Sequence, residues 1–199
     1  MTRTADAERR AALLEAIVDY AFTYGLSDLS LRPLAKAVGS SPRVLLYYFG
    51  SKEQLIEAIL RGVRARQVAG FAQLRESEFL DAVDVCRAVW RIMSDPQHEP
   101  LFRLFFEVFG MALQDRTRFG NFLHNAIEDW IAFLAAPSIR AGESTEDARA
   151  FATMVLAGFR GFVMDLCATH DRERINRAVD LWLQALHRCS HSEESRRAQ

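Results

Sequence analysis

Arg43, Tyr47, Tyr48 and Lys52 fall within ten consecutive positions of the chain. These side-chain types suit one kind of chemistry, non-covalent contact with a polyanion. A guanidinium pairs with two acceptors on the edge of a guanine at once. Phenolic hydroxyls and an ammonium group donate to phosphate oxygens. No comparable grouping points to catalysis. No histidine has a glutamate three residues before it, so the pairing a di-iron bundle needs is missing, and HExxH, GxSxG, the P-loop and GxGxxG are absent too. His187, Cys189 and His191 lie close together but have no fourth ligand near them, so neither a metal site nor a cofactor is expected. The chain is not expected to be an enzyme.

The elements that must position these residues read as helices almost throughout, which makes the expected fold class all-α. Over residues 8–24, Leu13, Ile17, Tyr20, Ala21 and Tyr24 follow the spacing of an amphipathic helix, and Gly25 supplies a stop. Ser30 is placed to cap a short helix over 31–38, broken by Gly39-Ser40. Ser41 caps the next, with Pro42 at its first position, where a fixed φ suits initiation. Ser51-Lys52-Glu53-Gln54 reads as a capping box opening a longer helix. Two short helices joined by a tight glycine turn and supported by a preceding helix describe a helix-turn-helix. In its second helix Leu45 and Phe49 are four apart and face the support. That turns Arg43, Tyr47 and Val44 outward and puts Arg43 near the end that reaches base edges.

Composition sets outer limits. The chain has 199 residues, half of them hydrophobic, and a formal net charge of -1, so the total charge does not demand nucleic acid. Residues 1–70 hold ten Lys or Arg against seven Asp or Glu, a local basic excess. Three distant cysteines form neither a disulfide framework nor a zinc cluster and suit a reducing compartment. No leader is evident, and no uninterrupted apolar stretch approaches the ~18 residues of a membrane span. A cytoplasmic protein without a membrane partner is expected.

The segment SLRPLAKAVGSSPRVLLYYFGSKEQLIEAIL (residues 30–60) resembles the DNA-binding domain of the tetracycline-repressor (TetR) family. Ala35, Gly39, Ser41, Leu45, Tyr48, Phe49, Ser51, Lys52 and Glu53 stand at matching positions. Val44 replaces the family's usual threonine and Leu46 its usual first tyrosine, both commonly backbone contacts. The resemblance implies an N-terminal three-helix domain over 1–52. A larger helical ligand-binding and dimerisation domain would follow over 53–190, with a polar tail, 191–199, expected to lack order. It implies double-stranded operator DNA as partner, with Ser30, Arg32, Ser41 and Pro42 joining Arg43, Val44, Tyr47, Tyr48 and Lys52 at the interface. It also implies a homodimer and release by a small-molecule effector. The alternative is a helical interaction module that no longer binds DNA.

Two further groups carry those expectations. The middle of the chain is crowded with aromatic residues: Trp90, Phe102, Phe105, Phe106, Phe109, Phe122 and Trp130. With His124 and Asn125 they are the candidate lining of an apolar ligand site, and Glu107, Gln114 and Asn121 are further polar candidates. The last two helices, expected over 145–168 and 172–188, repeat apolar residues at helical spacing. Phe151, Val155, Gly158, Phe159 and Phe162 on one, and Ile175, Val179, Trp182 and Leu186 on the other, are the candidate dimer seam. A helix over 119–135 is expected to stop at Pro137.

Overall fold

The computed structural model describes residues 2–71, 74 and 81–197; the side chains of 2–3, 116–123, 126 and 189–197 fall outside the description. The described residues form helices: α1 (Thr2–Tyr24), α2 (Leu31–Ala37), α3 (Pro42–Phe49), α4 (Lys52–Gly70), α5 (Ala82–Met93), α6 (Glu99–Gln114), α7 (Arg116–Arg140), α8 (Thr145–Thr169) and α9 (Arg172–Arg197), with one 3-10 turn at Pro96–His98. They divide into two compact units. The first is Met1–Gly70 with Arg103–Leu123, and the second is Phe71–Phe102 with His124–Gln199.

In the first unit the apolar stripe of α1 supplies Ile17, Val18 and Ala21. These are buried together with Leu34 and Ala35 of α2, Leu45 and Phe49 of α3, and Leu55 and Ile59 of α4. α1 and α4 approach closely: a Cβ on Gly62 would sit 2.6 Å from a methyl of Val18. Arg66 of α4 completes the join, 2.6 Å from both Glu15 and Asp19 of α1, with its guanidinium over the Phe22 ring. Gly25 ends α1 at φ +76, a backbone that glycine adopts without a Cβ penalty. Ser30 stands at the N-cap of α2, but its side chain makes no capping bond; the expected cap is a matter of position only.

The second unit is built around an aromatic cluster. Trp90 of α5 stacks on Phe159 of α8 and meets Phe162 edge-on, while Trp182 of α9 lies edge-on to both phenylalanines. The Trp90 indole N–H donates to Asn176 Oδ1 at 2.9 Å, so its polar atom is satisfied. Ser144 caps α8 by accepting from Asp147 N at 3.0 Å, as its sequence promises. α8 is long and apolar enough to cross a membrane by length and composition. Its inner stripe, including Ala152, Val155, Phe159 and Val163, is buried in this unit.

The helix expected to stop at Pro137 instead runs through it to Arg140. Proline's φ fits an α-helix; what it forfeits is one backbone hydrogen bond and some room around the preceding turn, at ~3 kcal/mol. Pro137 and Ser138 are both buried here, and that packing offsets the loss.

Candidate nucleic-acid interface

The reading helix α3 follows from local chemistry. Ser41 is extended and its Oγ accepts from Val44 N at 3.3 Å, with Pro42 opening the helix. Leu45 and Phe49 are buried in the first unit. That burial fixes the rotation of α3 about its own axis and turns Arg43 and Tyr47 to solvent, Tyr47 with 73% of its surface exposed. α4 opens with the expected capping box. Gln54 N donates to Ser51 Oγ at 3.2 Å, and Ser51 N donates back to Gln54 Oε1 at 3.1 Å. Lys52 is exposed in this first turn, as are Ser30, Arg32 and Ser41 upstream. Pro42, Val44 and Tyr48 are half-buried. Leu46, where a tyrosine is usual, is 39% exposed.

One feature of this surface has no sequence signature. α1 reaches over the end of α3 with two side chains one turn apart. The Tyr48 hydroxyl donates to Asp6 Oδ1 at 2.8 Å. Arg10 Nε donates to the Tyr48 carbonyl at 3.3 Å, and its guanidinium lies over the Phe49 ring. The bond to Asp6, helped by desolvation, raises the Tyr48 pKa above the usual phenol value. Beside these residues opens a cleft of about 390 Å³, whose walls include Arg10, Tyr48, Gln54 and Arg61.

The residues expected to line a ligand site are distributed over both units. Phe105, Phe106 and Phe109 belong to the first and form a chain of tilted and edge-on rings along α6, all half-buried. Trp90, Phe102 and Trp130 belong to the second and are buried there, Trp90 within the α5–α8–α9 cluster and Trp130 edge-on to Phe71 and Phe133. His124 and Asn125 are exposed. The side chains of Phe122 and Asn121 lie outside the described residues. Glu107 is engaged elsewhere. It accepts from the backbone N–H of Leu26 at 2.7 Å, from that of Ser27, and from the Ser27 hydroxyl at 2.5 Å, holding the turn between α1 and α2.

The expected dimer seam is largely used within the chain. Val155, Phe159, Ile175, Val179 and Leu186 are buried in their own unit, and Gly158 is the site of close approach to Trp182, 2.5 Å from where its Cβ would be. Phe151, Phe162 and Trp182 are half-buried. The outward stripe of α8 consists of other residues: Met154, Ala157, Gly161 and Met164 are exposed, as is Leu181 of α9. They follow the same 3.6-residue repeat one face around, a second apolar stripe of α8.

Residues 13–59 match the family described as bacterial regulatory proteins, tetR family. No curated protein matches the chain by sequence. Among solved structures, a transcriptional regulator from Rhodococcus sp. Rha1 is similar at TM-score 0.72 and 19% identity, covering 88% of this chain and 94% of that one. A TetR transcription regulator from Haloarcula marismortui is similar at TM-score 0.69 and 20% identity over 86% and 93% of the two chains. Salmonella enterica GusR is similar at TM-score 0.67 and 22% identity over 89% and 94%.

Proposed function

We propose that this chain, whose residues 13–59 match the tetR family of bacterial regulatory proteins, is a cytoplasmic repressor whose homodimer binds a palindromic operator and is released by a small, mainly apolar ligand. The observation that carries the DNA-reading half is the rotation of α3. Burial of Leu45 and Phe49 leaves Arg43 and Tyr47 exposed on an eight-residue helix, with Lys52 exposed at the first position of α4. Arg43 is the base-reading residue, and Tyr47 and Lys52 contact phosphates. Two such heads on a two-fold dimer read half-sites one helical turn, or a multiple of it, apart. The exposed stripe of Met154, Ala157, Gly161 and Met164 supports α8 as the surface that joins the two copies.

The half-buried rings of Phe105, Phe106 and Phe109 support an apolar effector taken up along α6. An effector that prefers one spacing of the two heads shifts the dimer between DNA-competent and DNA-incompetent populations. Exposed Leu46 and half-buried Val44, apolar where the family has backbone-contacting residues, support a second reading, a helical interaction module without DNA affinity.

One experiment separates the two. Purified protein is incubated with a random pool of duplex DNA at two salt concentrations, and the bound fraction is selected and sequenced. Enrichment of a palindrome, with affinity falling steeply as salt rises, is the expected result. Absence of binding at low salt would leave the interaction module standing. Titrating candidate effectors against the recovered operator then tests the ligand class, and release by small polar metabolites alone would overturn it.

A further inference from the structure

We propose that Asp6 is a built-in competitor for phosphate at Tyr48, a carboxylate that the DNA backbone must displace before this tyrosine can contact it. The inference rests on the DNA-reading role proposed above and adds a determinant of its strength.

A phenol hydroxyl has one hydrogen to donate. In this structure Tyr48 gives it to Asp6 Oδ1 at 2.8 Å. A phosphodiester only accepts, so it cannot bond to the oxygen of a tyrosine whose hydrogen is committed. The two partners are mutually exclusive. They are also alike, since a carboxylate oxygen and a phosphate oxygen are both anionic acceptors that favour charge-assisted bonds. Asp6 thus holds the position relative to Tyr48 that a backbone phosphate would take.

Geometry makes the competition persistent. Asp6 and Arg10 are four apart and share one face of α1. Arg10 fixes the same stretch of α3 through the Tyr48 carbonyl and the Phe49 ring, so the carboxylate and the hydroxyl are held in register by a second contact. Asp6 is exposed and Tyr48 half-buried, so a rotamer change of Asp6 releases the hydroxyl without disturbing the core. The retained proton is consistent with the raised Tyr48 pKa, whose largest cause is this bond. An approaching phosphate meets both the loss of this bond and the repulsion of the carboxylate, and the two effects lower resting affinity together.

A double-mutant cycle tests this, read by fluorescence anisotropy on a labelled mixed-sequence duplex at low salt, where phosphate contacts dominate. Asp6→Ala removes the competitor, and Tyr48→Phe removes the donor. Glu8→Ala, on the same helix, controls for losing one negative charge. Asp6→Ala is expected to bind about three- to tenfold tighter than the unaltered protein, the range of one exposed charge-assisted contact. In the Tyr48→Phe background it should gain no more than Glu8→Ala does. Thermal unfolding of each variant confirms a folded head. An equal gain in both backgrounds would reduce Asp6 to a general charge effect and overturn the proposal. Weaker binding by Asp6→Ala would overturn it too, making Asp6 a residue that positions Tyr48 for DNA. If no protein in the set, Asp6→Ala included, binds the duplex, it is the DNA-reading role that fails.

Discussion

On the proposed reading, Arg43 is the residue whose identity most directly sets what DNA sequence is read. It is exposed one position into α3. Arg43→Ala is expected to cost about 1–3 kcal/mol on the selected operator and to relax preference at one base pair per half-site. Lys52→Ala should weaken binding to all sequences alike and lower the salt slope by about one. Both are measured by anisotropy across a salt series. Equal losses on operator and random duplex for Arg43→Ala would remove it from base reading. Cys86 makes the opposite kind of prediction. It is buried on α5, and desolvation pushes its thiol up to about 12. A raised thiol pKa means almost no thiolate below that value, so the native protein should leave Cys86 unalkylated at mildly alkaline pH. Labelling should appear only on denaturation, as mass spectrometry of the peptide would show. At this scale the exposed residues of α3 were legible, because its rotation is set by Leu45 and Phe49 on the same helix. Asp6 was not, because nothing local announces a partner 42 positions away.

Helix starts are the most legible elements, since a cap is a bond between neighbours. Ser41, Ser51 with Gln54, and Ser144 all bond as their spacing implies. Removing the α4 box with Ser51→Ala should therefore cost about 0.5–2 kcal/mol in urea unfolding, and an unchanged midpoint would show the box to be idle. Two glycines one turn apart on α8 provide a sharper contrast. A methyl at Gly158 would press into the Trp182 ring, which Phe159 and Phe162 hold in place. Gly158→Ala is expected to destabilise by about 1–3 kcal/mol even though alanine favours helix. Gly161 has nothing within 4 Å, so Gly161→Ala should gain up to about 1 kcal/mol from helix propensity in the isolated chain. Pro137 marks where local rules fail: its helix-stopping tendency is real, and burial alongside Ser138 overrides it. That burial is a tertiary fact that no window of sequence contains.

The whole molecule adds what separated segments do together. The all-α class followed from the 3.6-residue repeats, and the return of Arg103–Leu123 to the first unit did not, because loop closure leaves no mark in composition. The proposed pairing surface shows the same limit. Two apolar stripes run along α8, and periodicity alone does not say which one the chain keeps for itself. The structure keeps Val155, Phe159 and Val163 and exposes Met154, Ala157, Gly161 and Met164. A charge placed on the outer stripe, Met154→Glu, should dissociate the proposed dimer while leaving the monomer folded. Sedimentation with circular dichroism would show both. A dimer that survives the substitution would move the interface elsewhere. The hold of Glu107 on the α1–α2 turn carries a consequence of another kind. One carboxylate oxygen of α6 accepts both backbone N–H groups, of Leu26 and Ser27, so those two amide hydrogens are shielded only while α6 stays seated. Their rate of exchange with deuterated solvent is thus a built-in gauge of α6 docking, readable peptide by peptide before any effector is known.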